Sequence, residues 1–192
     1  MQTNDSLELN EKERGKKRTL GVAKRVALIA VCASLIEGGK FALSFIPNVE
    51  IVTLLCAVFG YSFGIYGICS VYIFVGIETL IYGFNPWVIS YLIYWPLVSL
   101  IFMLFGRKKF RNIIVLTIVA VVLTAFFGVL TSLVDVGLFT GSYANFFPRF
   151  AIYYSRGAVF YIIQIICNLV LFPTAFLPLV KVTERTLKNS LR

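Results

Sequence analysis

Apolar runs of the length that a membrane-spanning helix requires follow one another along most of this sequence. Hydrophobic residues make up 59% of the 192 residues, and the mean hydropathy is +0.87. A water-soluble domain of this size could not bury so much apolar surface, whereas a helix of about 20 apolar residues crosses the hydrocarbon core of a bilayer. The sequence therefore predicts an all-α integral membrane protein.

Turn-forming residues divide the apolar region into six predicted transmembrane helices. Because proline cannot continue a helix, the first helix is expected to end just before Pro47. The first predicted helix covers about 22–45. The second starts at Ile51 and turns around Gly60, Gly64 and Gly67, and the third ends near Tyr82. The fourth, fifth and sixth cover 87–105, 112–134 and about 150–178, the last with a kink at Pro173. The predicted organisation is a tail over 1–21, a six-helix membrane domain over 22–180 and a second tail over 181–192.

The basic residues decide between five and six crossings, because cytoplasmic loops collect Lys and Arg. Read as one helix, the uncharged stretch from Ile51 to Ile77 would leave the basic loop Arg107–Arg111 outside the cell. Six crossings place 15 of the 18 basic residues on one side. We therefore expect both termini in the cytoplasm and the protein in the cell membrane.

The same residues argue against several other classes of protein. There is no histidine, and the four cysteines lie inside apolar runs without CxxC spacing. We therefore expect neither a metal site nor a cofactor, and no enzymatic activity. Gly38, Gly39 and Lys40 resemble the end of a nucleotide-binding loop, but Phe41 stands where Ser or Thr is required. The net charge of +9 is explained by topology rather than by nucleic acid, and energy from ATP would need another chain.

Seven charged residues remain in the outer half of the predicted helices or in the outer loops. They are Glu37, Lys40, Glu50, Glu78, Asp135, Arg149 and Arg156. A charge inside the bilayer is costly unless it faces a cavity or a partner, so this mixture indicates a polar pocket that opens outward. Simpler interpretations are an ion pair between Glu37 and Lys40 on one helix, and solvated loop charges at Asp135 and Arg149.

Two uncharged groups have two interpretations each. Gln164 and Asn168 share a helix face near the middle of the membrane, where they could form interhelical hydrogen bonds or contact a ligand. A set of aromatic residues follows helical spacing and could form an interfacial belt or a platform for a flat ligand ring. Its members are Trp87, Tyr91, Tyr94 and Trp95.

The first predicted helix carries small residues four positions apart. These are the pairs Ala23 and Ala27, and Ala30 and Ser34. Small residues at this spacing let another helix approach closely, either within the bundle or from a partner.

Two stretches, Phe45–Leu55 and Tyr161–Asn168 followed by Leu177-Pro178-Leu179, resemble the substrate-binding S components of energy-coupling factor transporters. The resemblance implies six helices that bind a vitamin or related micronutrient in an outward-facing pocket of a bacterial plasma membrane protein. It also implies docking on a transmembrane coupling subunit that works with two ATPases. The loop Pro47–Glu50 corresponds to the family's pocket-covering loop, and Ala23 with Ala27, or alternatively Ala30 with Ser34, to its docking motif.

The residue analysis and the resemblance together give a hypothesis for the substrate site. Its predicted members are Asn48, Glu50, Glu78, Trp87, Tyr91, Trp95, Arg156, Gln164 and Asn168. Arg156 and Glu78 are expected to recognise opposite polar ends of the solute. The two amides would recognise its hydrogen-bonding edge, and the face of Trp87, Tyr91 and Trp95 would recognise its ring. The alternatives are a small stand-alone secondary transporter, and a membrane assembly or scaffold protein that needs no pocket.

Overall fold

A computed structural model describes residues 2–46, 49–139 and 145–190, with side chains at 21–46, 49–139 and 145–186, and helices joined by short turns make up this part of the chain. The helices are α1 (Gln2–Leu43), α2 (Val52–Phe63), α3 (Ile65–Tyr82), α4 (Pro86–Arg107), α5 (Ile113–Val134), α6 (Phe146–Leu171) and α7 (Leu177–Ser190). A π-helical turn, Asp135–Phe139, extends α5, and a second, Phe172–Phe176, joins α6 to α7. Pro173 lies in this second turn, where the kink was predicted.

Five helical segments of the described chain are long and apolar enough to cross a membrane. They are Gly21–Leu43, Ile65–Tyr82, Pro86–Arg107, Ile113–Phe139 and Phe146–Thr186. One further helix, α2, is also apolar, but it has only 12 residues, or about 18 Å of rise. Large apolar side chains are exposed on the outer faces of the bundle, among them Val26, Leu80 and Val122, as lipid-facing positions require. The predicted all-helical fold is confirmed for the described residues, with five to six helices that are apolar and five of them long enough to cross a membrane.

Gly64 separates α2 from α3 and explains why the uncharged stretch is two helices. Its φ is +61°, a region that disfavours side chains, and its N–H still donates to the Gly60 carbonyl that closes α2. Gly67 lies so close to the end of α2 that a Cβ there would be 2.3 Å from the Phe59 carbonyl oxygen. Glycine is therefore needed both at the break and three residues after it.

Contacts at one end of the bundle bring the basic segments together. The Arg25 guanidinium lies 5.6 Å from the Tyr66 ring centroid, so the membrane part of α1 begins beside the start of α3. The Tyr61 hydroxyl donates to the Phe110 carbonyl at 3.0 Å. In the same region Arg111 pairs with Glu184 of α7 at 3.2 Å. We call this the basic end; α1 finishes, and α3 turns into α4, at the opposite end.

The short helix α2 lies in the centre of the bundle against α4. A Cβ on Gly60 would be 2.1 Å from the Ser99 carbonyl oxygen, and one on Gly106 would be 2.1 Å from the Tyr61 carbonyl oxygen. The two backbones therefore approach more closely than any side chain would allow. This packing holds α2 on the side of the basic end and leaves space between α1, α4, α5 and α6 above its first residue.

Candidate functional site

Two cavities lie between the helices on the side away from the basic end. The inner cavity, of about 200 Å³, begins above α2 and is lined by Glu50, Trp95 and Gln164. The outer cavity, of about 400 Å³, lies near the turn between α3 and α4 and is lined by Asn85 and Trp87. Trp95 is nine residues into α4, about 14 Å from its start, and Leu43 and Ser44 at the end of α1 also line the inner cavity, so this cavity extends from the end of α1 to that depth.

Lys40 of α1 and Tyr91 of α4 line both cavities and form the boundary between them. The Lys40 ammonium pairs with the carboxylate of Glu78, which is completely buried on α3. The same ammonium lies 6.0, 5.2 and 5.7 Å from the ring centroids of Phe74, Tyr82 and Tyr91. A buried carboxylate and three aromatic faces therefore surround this one cation.

The ion pair corrects the expectation that Lys40 would pair with Glu37 on its own helix. Lys40 reaches across to α3 instead, because Glu78 is fully buried and needs a counter-charge. Glu37 keeps a buried Oε2 that has no hydrogen-bond partner among the described residues.

Glu50 connects the start of α2 to the deep polar residue of α6. Its Oε1 accepts hydrogen bonds from the Thr53 hydroxyl at 2.6 Å and from the Asn168 amide at 3.4 Å, and its Oε2 accepts from the Thr53 N–H at 3.2 Å. Asn168 also donates to the Thr124 hydroxyl of α5 at 2.9 Å. The interhelical interpretation of Asn168 is thus confirmed. Glu50, expected in an outer loop, reaches the depth of Asn168.

The aromatic residues of α4 form a continuous row into the bundle. Tyr91 lies 4.8 Å from Trp87 and 5.6 Å from Trp95 between ring centroids. Tyr94 and Trp95 are only 1% and 5% exposed, so an interfacial belt is excluded for these two. Phe127 of α5 packs against the row at 5.9 Å from Trp95 and also lines the inner cavity.

Several of these residues were not among the predicted site residues. Phe74 and Phe127 sit in apolar runs and carry no sequence signal that separates a cavity wall from ordinary packing. Lys40 did carry one, since it was among the charges that topology did not explain. Gln164 lines the inner cavity as predicted and makes no hydrogen bond within the described chain.

Arg156 is exposed on α6 and lines neither cavity. The structure therefore does not bring Arg156 and Glu78 together around one pocket, and Lys40 is the cation at the cavities. Asn48 lies outside the described residues. Among these residues no cluster of three or more His, Cys, Asp or Glu could hold a metal ion.

The four predicted docking residues lie along one exposed face of α1. Ala23, Ala27, Ala30 and Ser34 are all exposed. Internal packing was the alternative explanation for these small residues, and the structure rules it out because they point away from the described helices. The same face continues to Gly38, where a Cβ would meet nothing within 4 Å.

No protein-family model, curated protein or solved structure matches this chain.

Proposed function

We propose that this chain is the solute-binding S component of an energy-coupling factor type transporter. In this proposal it captures a vitamin or related micronutrient from outside a bacterial plasma membrane and passes it to an ATP-driven partner module. The observation that carries the proposal is the inner cavity, because it places charged and amide side chains beside an aromatic wall in the middle of an apolar bundle.

The free energy of burying polar groups supports a binding role. A buried charge or amide without partners costs several kcal/mol, so a bundle needed only as a scaffold would be more stable with apolar residues at these positions. Pockets for small ligands combine apolar walls with a few placed polar groups. Glu50 and Gln164 beside Tyr91 and Trp95 match that pattern.

The two cavities also provide a route from one side of the membrane. The outer cavity lies at the end opposite the basic segments, and it shares Lys40 and Tyr91 with the inner one. With the basic end in the cytoplasm, solute would enter from outside. Movement of the Lys40 side chain would connect the two cavities.

The first test is mass spectrometry of the gently purified full chain. A retained small molecule that is displaced when Trp95→Ala is introduced supports the proposal. If the chain retains no solute when it is purified from rich medium, and binds none from a vitamin and micronutrient panel, the solute-binding role is wrong.

The second test concerns partners, which we propose to be a transmembrane coupling subunit and two ATPases. Leucine at Ala27 would fill the exposed small-residue face of α1 and keep another helix away. We expect Ala27→Leu to reduce co-purification of these subunits at least tenfold and to leave solute retention unchanged. Ala151→Leu, at an exposed alanine of α6, is the matched control and should change neither.

A stand-alone secondary transporter is the second candidate, and the buried Lys40–Glu78 pair favours it, because ionisable residues inside a membrane often couple transport to protons. Proteoliposomes that contain only this chain distinguish the two functions. Solute uptake driven by a pH gradient without ATPases would establish the secondary transporter and exclude the S component.

A further inference from the structure

The inner cavity has an uneven distribution of charge. Glu50 and Lys40 are its only charged lining residues within the described chain. Lys40 is already paired with Glu78. Glu50 has no ion-pair partner among the described residues, and its carboxyl oxygens accept hydrogen bonds from Thr53 and Asn168. One acidic side chain therefore faces the cavity without a counter-charge.

Part of the wall of the same cavity is aromatic. Phe74, Tyr91, Trp95 and Phe127 line the cavity, and neighbouring rings lie 5.6 to 6.5 Å apart between centroids. Aromatic faces carry negative potential and attract cations within about 6 Å. Two of these rings, Phe74 and Tyr91, already have the Lys40 ammonium at that distance. Trp95 and Phe127 are the two rings of the wall that this ammonium leaves available to the ring of a ligand.

We propose that the inner cavity binds a small organic cation that carries a flat ring, with the positive group toward Glu50 and the ring against Tyr91, Trp95 and Phe127. Gln164, whose amide has no partner within the described chain, offers N–H donors and a carbonyl acceptor to a polar substituent of the ligand. The inference rests on the proposed solute-binding function and adds the charge class of the solute.

An anionic solute is the rival that the structure disfavours. It would have to draw Lys40 away from Glu78, leaving a completely buried carboxylate unpaired, and it would lie beside the charge of Glu50. Ligand charge therefore distinguishes the two models directly.

The experiment measures binding of three probes to the purified full chain by isothermal titration calorimetry. The probes are benzyltrimethylammonium, benzyl alcohol and benzoate, which share a phenyl ring and differ in charge. We expect the cation to bind at least tenfold more tightly than either of the others. In Glu50→Gln this preference should fall about tenfold, the loss of one charge-assisted contact.

Two further variants separate a specific effect from damage to the fold. Glu184→Gln removes the same formal charge from an exposed residue at the basic end, and it should leave the preference unchanged. Phe127→Leu removes one ring and keeps an apolar side chain. It should weaken the binding of the cation and of benzyl alcohol alike, about threefold to fivefold, and leave the ratio of their affinities unchanged, because both carry the ring that Phe127 contacts.

A preference for benzoate or benzyl alcohol would overturn the cation assignment and leave the solute-binding role intact. Equal loss of cation preference in Glu184→Gln and Glu50→Gln would also overturn it. If none of the probes binds while the chain still retains a solute by mass spectrometry, the assignment of a small ring-bearing cation is wrong. If the chain retains no solute either, the proposed solute-binding function fails as well.

Discussion

At the scale of single residues, the Lys40–Glu78 ion pair is the contact whose removal should matter most. Glu78 is completely buried, so losing either partner leaves a charge without compensation inside the bundle. We expect Lys40→Met or Glu78→Gln alone to lower the free energy of unfolding by about 3 kcal/mol. The double variant should recover much of this loss, because it leaves neither charge behind. Unfolding in mixed detergent micelles measures this free energy for the two single variants and the double variant.

The exposed pair of Arg111 and Glu184 provides the comparison. Its side chains are 52% and 39% exposed, and solvent weakens such a pair to less than about 1 kcal/mol. The proposal is wrong if Lys40→Met and Arg111→Gln lower the free energy of unfolding by the same amount. It is also wrong if the losses of Lys40→Met and Glu78→Gln simply add in the double variant.

These residues also show how far sequence reasoning reaches. Charge and hydropathy indicated that Lys40, Glu50 and Glu78 needed an explanation, because each is costly inside a bilayer. They did not give the partners. Helical spacing favoured Glu37 for Lys40, and only the packing of α1 against α3 shows that Glu78 is nearer. Pairing between helices depends on their rotation and depth, which a single sequence does not encode in a local pattern.

At the scale of helices, the closeness of α2 and α4 depends on glycine. Alanine at Gly60 would place its Cβ 2.1 Å from the Ser99 carbonyl oxygen, so the backbones would have to separate. We expect Gly60→Ala to lower the free energy of unfolding by about 2 kcal/mol or more. Gly76→Ala is the matched control on α3, where a Cβ meets nothing within 4 Å, and its stability should be unchanged or slightly higher. If the two substitutions changed the free energy of unfolding equally, the close contact between α2 and α4 would be refuted.

Helix boundaries were the most predictable part of this fold. Proline, glycine and basic runs mark where a helix cannot continue, and the expected breaks near Gly64, near Tyr82 and after Phe105 are all close to observed ends. The depth of α2 was less predictable than its length. The hydrogen bond between Glu50 and Asn168 shows that α2 starts deep in the bundle, and a contact between such distant segments has no local sequence pattern.

Across the bundle, most of the basic residues of the described chain lie at one end. Arg25, Arg111 and α7 share it, whereas Phe84 lies exposed in the turn between α3 and α4 at the other end. The excess of Lys and Arg predicts that the basic end is cytoplasmic. Both termini would then be inside the cell and the cavities would open outward.

Single cysteines in a variant without the four native cysteines decide this orientation. Lys108→Cys, in the loop after α4, should react with a membrane-impermeant maleimide in inverted vesicles and stay unlabelled in intact cells. Phe84→Cys should show the reverse pattern, and it controls for reagent access because both positions are exposed. Labelling of position 108 from outside intact cells would reverse the topology. The outer cavity would then face the cytoplasm, which an importer that captures its solute from outside does not allow.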